Sequence, residues 1–184
     1  MIKKVFILFS LLLLIYMLWP GPGKIADFAP LPSSVKSTLA GDNIEQVSNV
    51  AAYFSDNYRG FVVPYYSKIY QSLSHLPFPP MRLNHPPEYS WNVIKKHTDS
   101  TYMEELVYPL RDSLYVNGFE PFYEDGSLKF WGSTKFTEGS SPDLWYTKAT
   151  IRYYPAGTTV KFLVWGGIIF SIYWLFRLGK RIFI

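Results

Sequence analysis

Two apolar runs lie near the ends of the chain, and mixed apolar and polar positions fill the sequence between them. The second run, residues 162–176 (FLVWGGIIFSIYWLF), contains no charge; Lys161 precedes it, and the cations that follow it are Arg177, Lys180 and Arg181. At about 1.5 Å per residue it covers roughly 22 Å, and residues 158–160 extend it toward the ~30 Å hydrocarbon core of a bilayer. A helix that is apolar on all sides and ends in cations is typical of a membrane span. We therefore predict a C-terminal transmembrane helix at 160–177 and a basic cytoplasmic tail at 178–184.

The first run, residues 5–19 (VFILFSLLLLIYMLW), follows Lys3 and Lys4 and contains one polar residue, Ser10. A positive start and an apolar stretch of this length fit either a cleaved secretory signal or an uncleaved anchor. Signal cleavage favours small residues in an A-x-A-like pattern, whereas Trp-Pro-Gly-Pro-Gly occupies 19–23. The missing cleavage pattern favours a transmembrane anchor at residues 1–19.

The distribution of charge predicts how these two helices are oriented. Cations lie before the first run and after the second, and positively charged flanks stay on the cytoplasmic side. The formal net charge is +4, yet residues 21–158 hold twelve Lys or Arg against all fourteen acids. The basic excess therefore lies beside the membrane segments and is not a nucleic-acid surface. We expect a two-pass protein of the cell membrane with both termini cytoplasmic, an extracytoplasmic central domain and no nucleic-acid partner.

The segment between the runs divides into a linker and a domain. Residues 20–43 are rich in Pro, Gly, Ser and small polar residues and lack apolar periodicity, which predicts an extended linker. The domain is then 44–155. Alternating or β-favouring residues predict strands at 46–54, 81–84, 89–94, 119–124, 128–131 and 144–154. Asp125-Gly126 predicts the turn of a hairpin between the fourth and fifth of these.

Two helices are predicted in the domain. Cap residues at 55–57 begin the first, and its apolar face comprises Tyr58, Val62, Tyr65, Tyr66, Ile69 and Leu73. Thr101 and Glu104 form a capping box for the second, and Asn117-Gly118 ends it. The predicted fold class is an α+β domain, with two helices packed on a small antiparallel sheet, bracketed by two transmembrane helices.

Two proline-containing segments raise the question of an internal repeat. Val62-Val63-Pro64 and Val107-Tyr108-Pro109 lie 45 residues apart, each inside a predicted helix. A period of this size can mark duplicated units, but chance similarity in so aromatic a chain is the favoured explanation.

Candidate chemistry is sparse. The sequence has no cysteine, which excludes disulfides, thiolate metal sites and a cysteine nucleophile. His75, His85 and His97 lack the i, i+4 spacing of a helical zinc site. A helix start explains Glu104-Glu105 and a turn explains Glu124-Asp125, although two carboxylates at a suitable distance are enough for a glycosidase. We predict no catalytic, cofactor-binding or metal site.

The main functional hypothesis is a non-enzymatic accessory or scaffold subunit of an envelope complex. It is based on the two anchors and on the lack of a catalytic constellation. Gly166, Gly167 and Ser171 also give the second span a small-residue face suited to packing on another helix. The expected partners are the lipid bilayer and either another membrane protein or a second copy of the chain.

Aromatic residues motivate the second hypothesis, a membrane-tethered ectodomain that binds glycan or peptide. The candidate contacts are Trp91, Trp131 and Trp145. An envelope hydrolase is the third hypothesis and rests on carboxylates alone. Co-purification in mild detergent distinguishes them, because a subunit keeps a stable partner whereas a binding domain is a monomer that retains its ligand.

Overall fold

The computed structural model describes residues 2–40, 42, 48–85, 100–138 and 142–183. The chain divides into two compact units: unit 1 comprises Met1–Pro20, Pro109–Arg111 and Ala156–Ile184, and unit 2 comprises Gly21–Tyr108 and Asp112–Pro155. The α-helices among the described residues are α1 (Ile2–Leu18), α2 (Arg59–Ser74) and α3 (Thr158–Phe183).

The described part of unit 2 contains a six-stranded antiparallel sheet with the strand order β1-β2-β6-β5-β4-β3. The strands are β1 (Ser34–Lys36), β2 (Val50–Ser55), β3 (Met81–Asn84), β4 (Thr101–Tyr108), β5 (Asp112–Phe119) and β6 (Thr147–Tyr154). The strands predicted at 81–84 and within 46–54 and 144–154 are confirmed by β3, β2 and β6. The strand predicted at 89–94 lies outside the described residues.

The core lies between one face of the sheet and α2. Alternate residues of the central strands point into it, among them Leu106, Leu114 and Ile151, all fully buried. The first predicted helix is confirmed, since Val62 and Tyr66 of its apolar face are fully buried. The partly buried members of that face, which also pack against the core, are Tyr65, Ile69 and Leu73.

The second predicted helix is wrong, because the chain forms the β4–β5 hairpin there. Pro109 lies in the turn of this hairpin and does not interrupt a helix. Gly118 is a strand residue paired with Tyr102 and not a helix cap. A Cβ at Gly118 would overlap the buried Tyr102 ring, so glycine leaves the space that this ring occupies. The period-two alternation of buried residues in both strands outweighed a helical spacing that used many of the same apolar side chains.

The predicted fold class, two helices on a small sheet bracketed by two transmembrane helices, is also wrong. Unit 2 has one α-helix on a six-stranded sheet among its described residues. Only α3 among the described helices is long and apolar enough to cross a membrane, with a candidate span at Thr158–Ile182. α1 has 17 residues, which cover about 26 Å at 1.5 Å per residue and fall short of a ~30 Å hydrocarbon core. A two-pass topology is therefore not supported.

Part of the segment predicted as a linker is built into unit 2. Ile25, Phe28 and Leu31 are buried in the core, and the Phe28 ring lies 5.3 Å from that of Tyr153. β1 then adds an edge strand beside β2. The many prolines and glycines of this segment predict a linker. Its three buried apolar residues follow neither a helical nor a strand period, so the sequence pattern does not indicate that they join the core.

The two segments that suggested a repeat have different structures. Val62-Val63-Pro64 lies within α2, whereas Val107-Tyr108-Pro109 ends β4 and begins a turn. The structure therefore shows no duplicated unit at these positions.

In unit 1, α1 and α3 pack against each other. The indole Nε1 of Trp165 donates to the carbonyl oxygen of Ser10 at 2.9 Å. Nearer the start of α1, Phe6 lines a cavity of about 190 Å³ together with Ile172 and Phe176. Because later residues of α3 lie beside earlier residues of α1, the two helices are antiparallel.

Candidate functional site

A buried carboxylate joins three elements of unit 2. Glu104 on β4 has no exposed side-chain surface, and Arg82 on β3 donates to both of its oxygens at 2.7 Å. Arg59, the first residue of α2, donates from Nε to Oε1 at 2.9 Å and also from Nη2. The hydrogen bond from Arg82 is the largest influence and, with those from Arg59, lowers the pKa of Glu104 despite burial. We call Arg59, Arg82 and Glu104 the charged cluster.

The charged cluster is mainly a structural connection. The side chains of Arg59 and Arg82 remain 39% and 50% exposed, so water solvates part of each guanidinium. Arg59 Nη2 also donates to Asn84 Oδ1 at 3.2 Å. One carboxylate thus fixes two arginines from α2 and β3, which keeps the start of the helix at the edge of the sheet.

Glu120 binds the start of α2 from a distant part of the sequence. Its carboxylate accepts the backbone N–H of Arg59, and its Oε2 lies 3.5 Å from Lys129 Nζ. Burial raises the pKa of Glu120, although these two partners favour the ionised form. The residue before the helix, Tyr58, makes no side-chain cap. The predicted cap at 55–57 is therefore replaced by an acid that also complements the helix dipole.

A cleft of about 780 Å³ opens beside Glu120. Its lining comprises Tyr58, Arg59, Gly60, Glu120, Tyr123, Glu124, Asp125, Ser127 and Lys129. Tyr58 Oη donates to the carbonyl oxygen of Tyr123 at 2.8 Å, and burial, with the charge of Glu120 second, raises the pKa of Tyr58 to about 12. A volume of this size, with both charged and aromatic walls, suits a small polar ligand. We call this space the cleft.

Two of the three acids that line the cleft, Glu120 and Asp125, already have structural partners. Asp125 Oδ1 accepts hydrogen bonds from the backbone N–H and the hydroxyl of Ser127 at 2.9 and 2.6 Å. These bonds stabilise the predicted turn, in which Gly126 has a φ of +82°. The strands predicted on its two sides, at 119–124 and 128–131, are wrong, because only an isolated bridge joins Phe122 to Leu128 there. Glu120 is engaged by Arg59 and Lys129 as described. This arrangement favours binding over acid–base chemistry in the cleft.

The second candidate surface lies on the sheet face opposite α2, over strands β3 to β6, and we call it the open face. Met81 and Leu83 on β3, Met103 on β4 and Tyr154 on β6 lie there, and all four are exposed. A groove of about 250 Å³ crosses this face, lined by Met103, Tyr115, Asn117, Thr150, Arg152 and Tyr154. An antiparallel sheet commonly leaves one face in water, but that face is then mostly polar. Methionine and tyrosine are instead typical of surfaces that contact partners.

Aromatic and charged contacts give the open face a defined shape. The rings of Tyr115 and Tyr154 meet edge to face at 5.4 Å, and Arg152 Nη1 donates to Tyr154 Oη at 3.3 Å. His85 Nε2 lies 2.9 Å from Glu105 Oε2 at the β3 edge. The groove therefore has both apolar and polar walls, with a cation at one side and a carboxylate near its edge.

Of the tryptophans predicted as ligand contacts, Trp131 and Trp145 do not line the cleft. Trp91 lies outside the described residues. Trp131 is 91% exposed, and Trp145 is joined to Phe136 by backbone hydrogen bonds at 2.8 and 2.9 Å. The structure therefore leaves their predicted role untested and places tyrosines at the cleft.

No described residue of this chain packs against the small-residue face of α3. A Cβ at Gly166 or Gly167 would meet nothing within 4 Å, and Ser171 is exposed. α1 instead contacts the part of α3 that includes Trp165 and Ile172. The predicted helix contact stays a prediction, and its partner would be another chain.

No protein-family model matches this chain, and no curated protein or solved structure matches it. Among the described residues, no group of three or more His, Cys, Asp or Glu side chains is arranged to hold a metal ion. Of the histidines, His97 lies outside those residues, and His85 contacts Glu105.

Sequence reasoning missed both the charged cluster and the cleft. The predicted capping box includes Glu104, although a glutamate at alternate spacing between Tyr102 and Leu106 indicates an inward-facing strand position. Such a buried acid requires cationic partners, and the predicted strand 81–84 contains a cation, Arg82, that supplies one. Nothing in the local sequence links Arg59 to either residue, because they meet only through the tertiary fold.

Proposed function

We propose that the protein is a membrane-anchored, non-enzymatic subunit that binds another envelope protein on the open face. In this proposal α3 crosses the membrane, its C-terminal end lies in the cytoplasm and unit 2 lies on the extracytoplasmic side. Lys180 and Arg181 lie in the last turn of α3, and cations at the end of a span favour the cytoplasmic side.

The surface of α3 supports the anchoring. Leu163, Phe170 and Leu175 are more than half exposed, and the candidate span is not buried within the protein. Exposing apolar surface to water costs about 25 cal/mol for each Å², and a lipid environment removes that cost. Trp174 lies in the part of the helix that approaches the cationic end, where indole rings favour the headgroup region.

The single observation that carries the interaction role is the exposure of four large apolar side chains on three strands of the open face. Met81, Leu83, Met103 and Tyr154 lie on the same side of the sheet, since strand pairing places them in one layer. A partner that covers them removes apolar surface from water, and flexible methionines adapt to its shape. Arg152 adds a cation to the groove, which suits a partner with an acidic residue beside an apolar one.

Site-specific photocrosslinking in native membranes tests this role. A crosslinking amino acid at Met103 should capture one defined protein, identified by mass spectrometry, and the Tyr154→Glu change should abolish that product. Phe61, an exposed aromatic residue on α2, is the matched control position and should give no such product. Equal crosslinking at both positions would reject a specific surface on the open face.

The cleft supports a second candidate function, the binding of a small polar ligand such as a glycan or peptide fragment. The observation that favours it is the cavity of about 780 Å³ beside Tyr58 and the exposed Tyr123. Titration calorimetry of the full chain in detergent, with cell-wall glycan fragments and short peptides as probes, measures this directly. Tyr123→Ala should remove any binding, whereas Tyr154→Ala, outside the cleft, should not; equal loss in both would reject the cleft as the site.

A further inference from the structure

The turn between β4 and β5 belongs to unit 1, where it contacts the C-terminal end of α1. Tyr16 Oη donates to the carbonyl oxygen of Pro109 at 3.0 Å. Arg111 Nη2 donates to the carbonyl oxygen of Pro20 at 3.2 Å, and its guanidinium carbon lies 5.8 Å from the centre of the Tyr16 ring. Three contacts therefore hold Pro109–Arg111 against the C-terminal end of α1.

The middle residue of this turn has an unusual backbone for its type. Leu110 has a φ of +64°, in the left-handed region that Gly, Asn or Asp normally occupies in hairpin loops. A bulky side chain is unfavourable there, and the side chain of Leu110 is not buried to compensate, since it is 45% exposed. An unfavourable backbone conformation of this kind suggests a functional role for the side chain, because glycine would form the same turn without strain.

The packing of α1 against α3 determines which residues of α3 lie at the same height along the helix axis as this turn. Trp165 meets Ser10, and the two helices are antiparallel. Tyr16 lies six residues beyond Ser10, or about 9 Å at 1.5 Å per residue, and Thr159 lies the same distance before Trp165. Tyr16 and the turn are thus level with the first residues of α3, at the end opposite Lys180 and Arg181. The exposed indole of Trp19 follows Tyr16 at the same end.

We propose that Leu110, with Trp19 beside α1, inserts into the headgroup–acyl boundary of the bilayer at the start of α3. The inference rests on the proposed function, because it requires α3 to cross the membrane. The exposed apolar surface of α3 extends to the same height as the turn. Exposed indole and leucine side chains are typical of protein surfaces that insert into the interface of a bilayer. The partner is therefore the lipid surface itself.

Single-cysteine labelling tests the proposal without background, because the chain has no cysteine of its own. The full chain is reconstituted in phosphatidylcholine–phosphatidylglycerol vesicles with an environment-sensitive fluorophore at Leu110→Cys. A second variant, Trp19→Cys, gives an independent probe if the first change perturbs the turn. Phe170→Cys reports the middle of α3, and Leu128→Cys, an exposed leucine of unit 2, is the aqueous control.

We expect the Leu110 and Trp19 labels to lose more than half of their fluorescence to lipids with a nitroxide near the headgroup. The Phe170 label should be quenched most by a nitroxide deep in the acyl chains, and the Leu128 label should be quenched by aqueous iodide only. If Phe170 is quenched by lipid while Leu110 and Trp19 behave like Leu128, the inference is wrong and the span stands. If iodide also quenches the label at Phe170→Cys, α3 does not cross the membrane, and both the proposed function and this inference are wrong.

Discussion

The guanidinium of Arg82 forms two 2.7 Å hydrogen bonds with the fully buried carboxylate of Glu104. This pairing explains how an acid is tolerated inside the sheet. Replacing Glu104 by Gln removes its charge and leaves Arg82 and Arg59 partly unpaired. We expect a loss of about 2 kcal/mol in the free energy of unfolding, below the ~3–5 kcal/mol of a fully buried pair because both arginines reach water.

Denaturant unfolding of the full chain in mild detergent, followed by near-UV circular dichroism, measures this loss. Glu124→Gln is the matched control, because Glu124 is exposed, and it should change stability by less than about 0.5 kcal/mol. Equal effects of the two substitutions would contradict the role of the charged cluster.

The same two-residue contact predicts a dependence of stability on pH. The pKa of Glu104 is lowered from its ordinary value of 4.5, so its contribution is present above that value and is lost as the pH falls through the lowered pKa. Glu104→Gln should therefore flatten the acid side of the stability curve. Unfolding midpoints between about pH 3 and pH 7 measure it.

Glu120 should act in the opposite direction. Its pKa is raised from the ordinary 4.5, first by burial, so its contribution is present below 4.5 and is lost as the pH rises through the raised pKa. Glu120→Gln keeps an acceptor for the Arg59 N–H and should remove that loss at rising pH. The prediction fails if the substitution changes the free energy of unfolding by the same amount at every pH between about pH 3 and pH 7.

The contact of Gly118 with Tyr102 predicts an intolerant glycine. Gly118→Ala would force the buried Tyr102 ring to move, and we expect a loss of about 2 kcal/mol, as in other overpacked sites. Gly60→Ala on α2, where a Cβ meets nothing, should leave stability unchanged or raise it slightly. Thermal unfolding of both variants checks the contrast, and a neutral Gly118→Ala would show that the hairpin packing is described wrongly.

The small-residue face of α3, formed by Gly166, Gly167 and Ser171, predicts an effect of substitution on assembly. Gly167→Ile makes the helix more apolar but keeps a neighbouring helix at a distance, so insertion should survive while association weakens by about 1 kcal/mol. Ile169→Val is the control, since it barely changes the volume. Complex size in mild detergent is the measurement, and an unchanged size for Gly167→Ile would leave α3 as an anchor without a helix partner.

The parts of the fold that were predictable share a clear local period. The apolar positions of α2, including Val62 and Tyr66, follow the helical repeat, and β6 alternates from Thr147 to Tyr153. The β4–β5 hairpin was mistaken for a helix because Leu106, Val107, Leu110 and Leu114 also fit a helical repeat. The pairing of β4 with β5, for example of Tyr102 with Gly118, decides between the two, and that contact is tertiary.

The candidate site was less predictable than the fold. Arg59 and Glu104 are 45 residues apart, and Glu120 reaches the start of α2 across 61 residues. No motif spacing reports such contacts. The exposure of Met81 and Met103 on one face also depends on the register of β3 on β4, which sequence alone does not determine.

Cysteine accessibility in intact cells tests the central claim most directly, namely that α3 crosses the membrane and places unit 2 outside the cytoplasm. Leu144→Cys lies at an exposed position of unit 2, and Ile182→Cys lies near the end of α3. A membrane-impermeant maleimide should label Leu144→Cys in intact cells and Ile182→Cys only after permeabilisation. Labelling of Ile182→Cys alone before permeabilisation, or of both positions, would contradict this orientation of the protein.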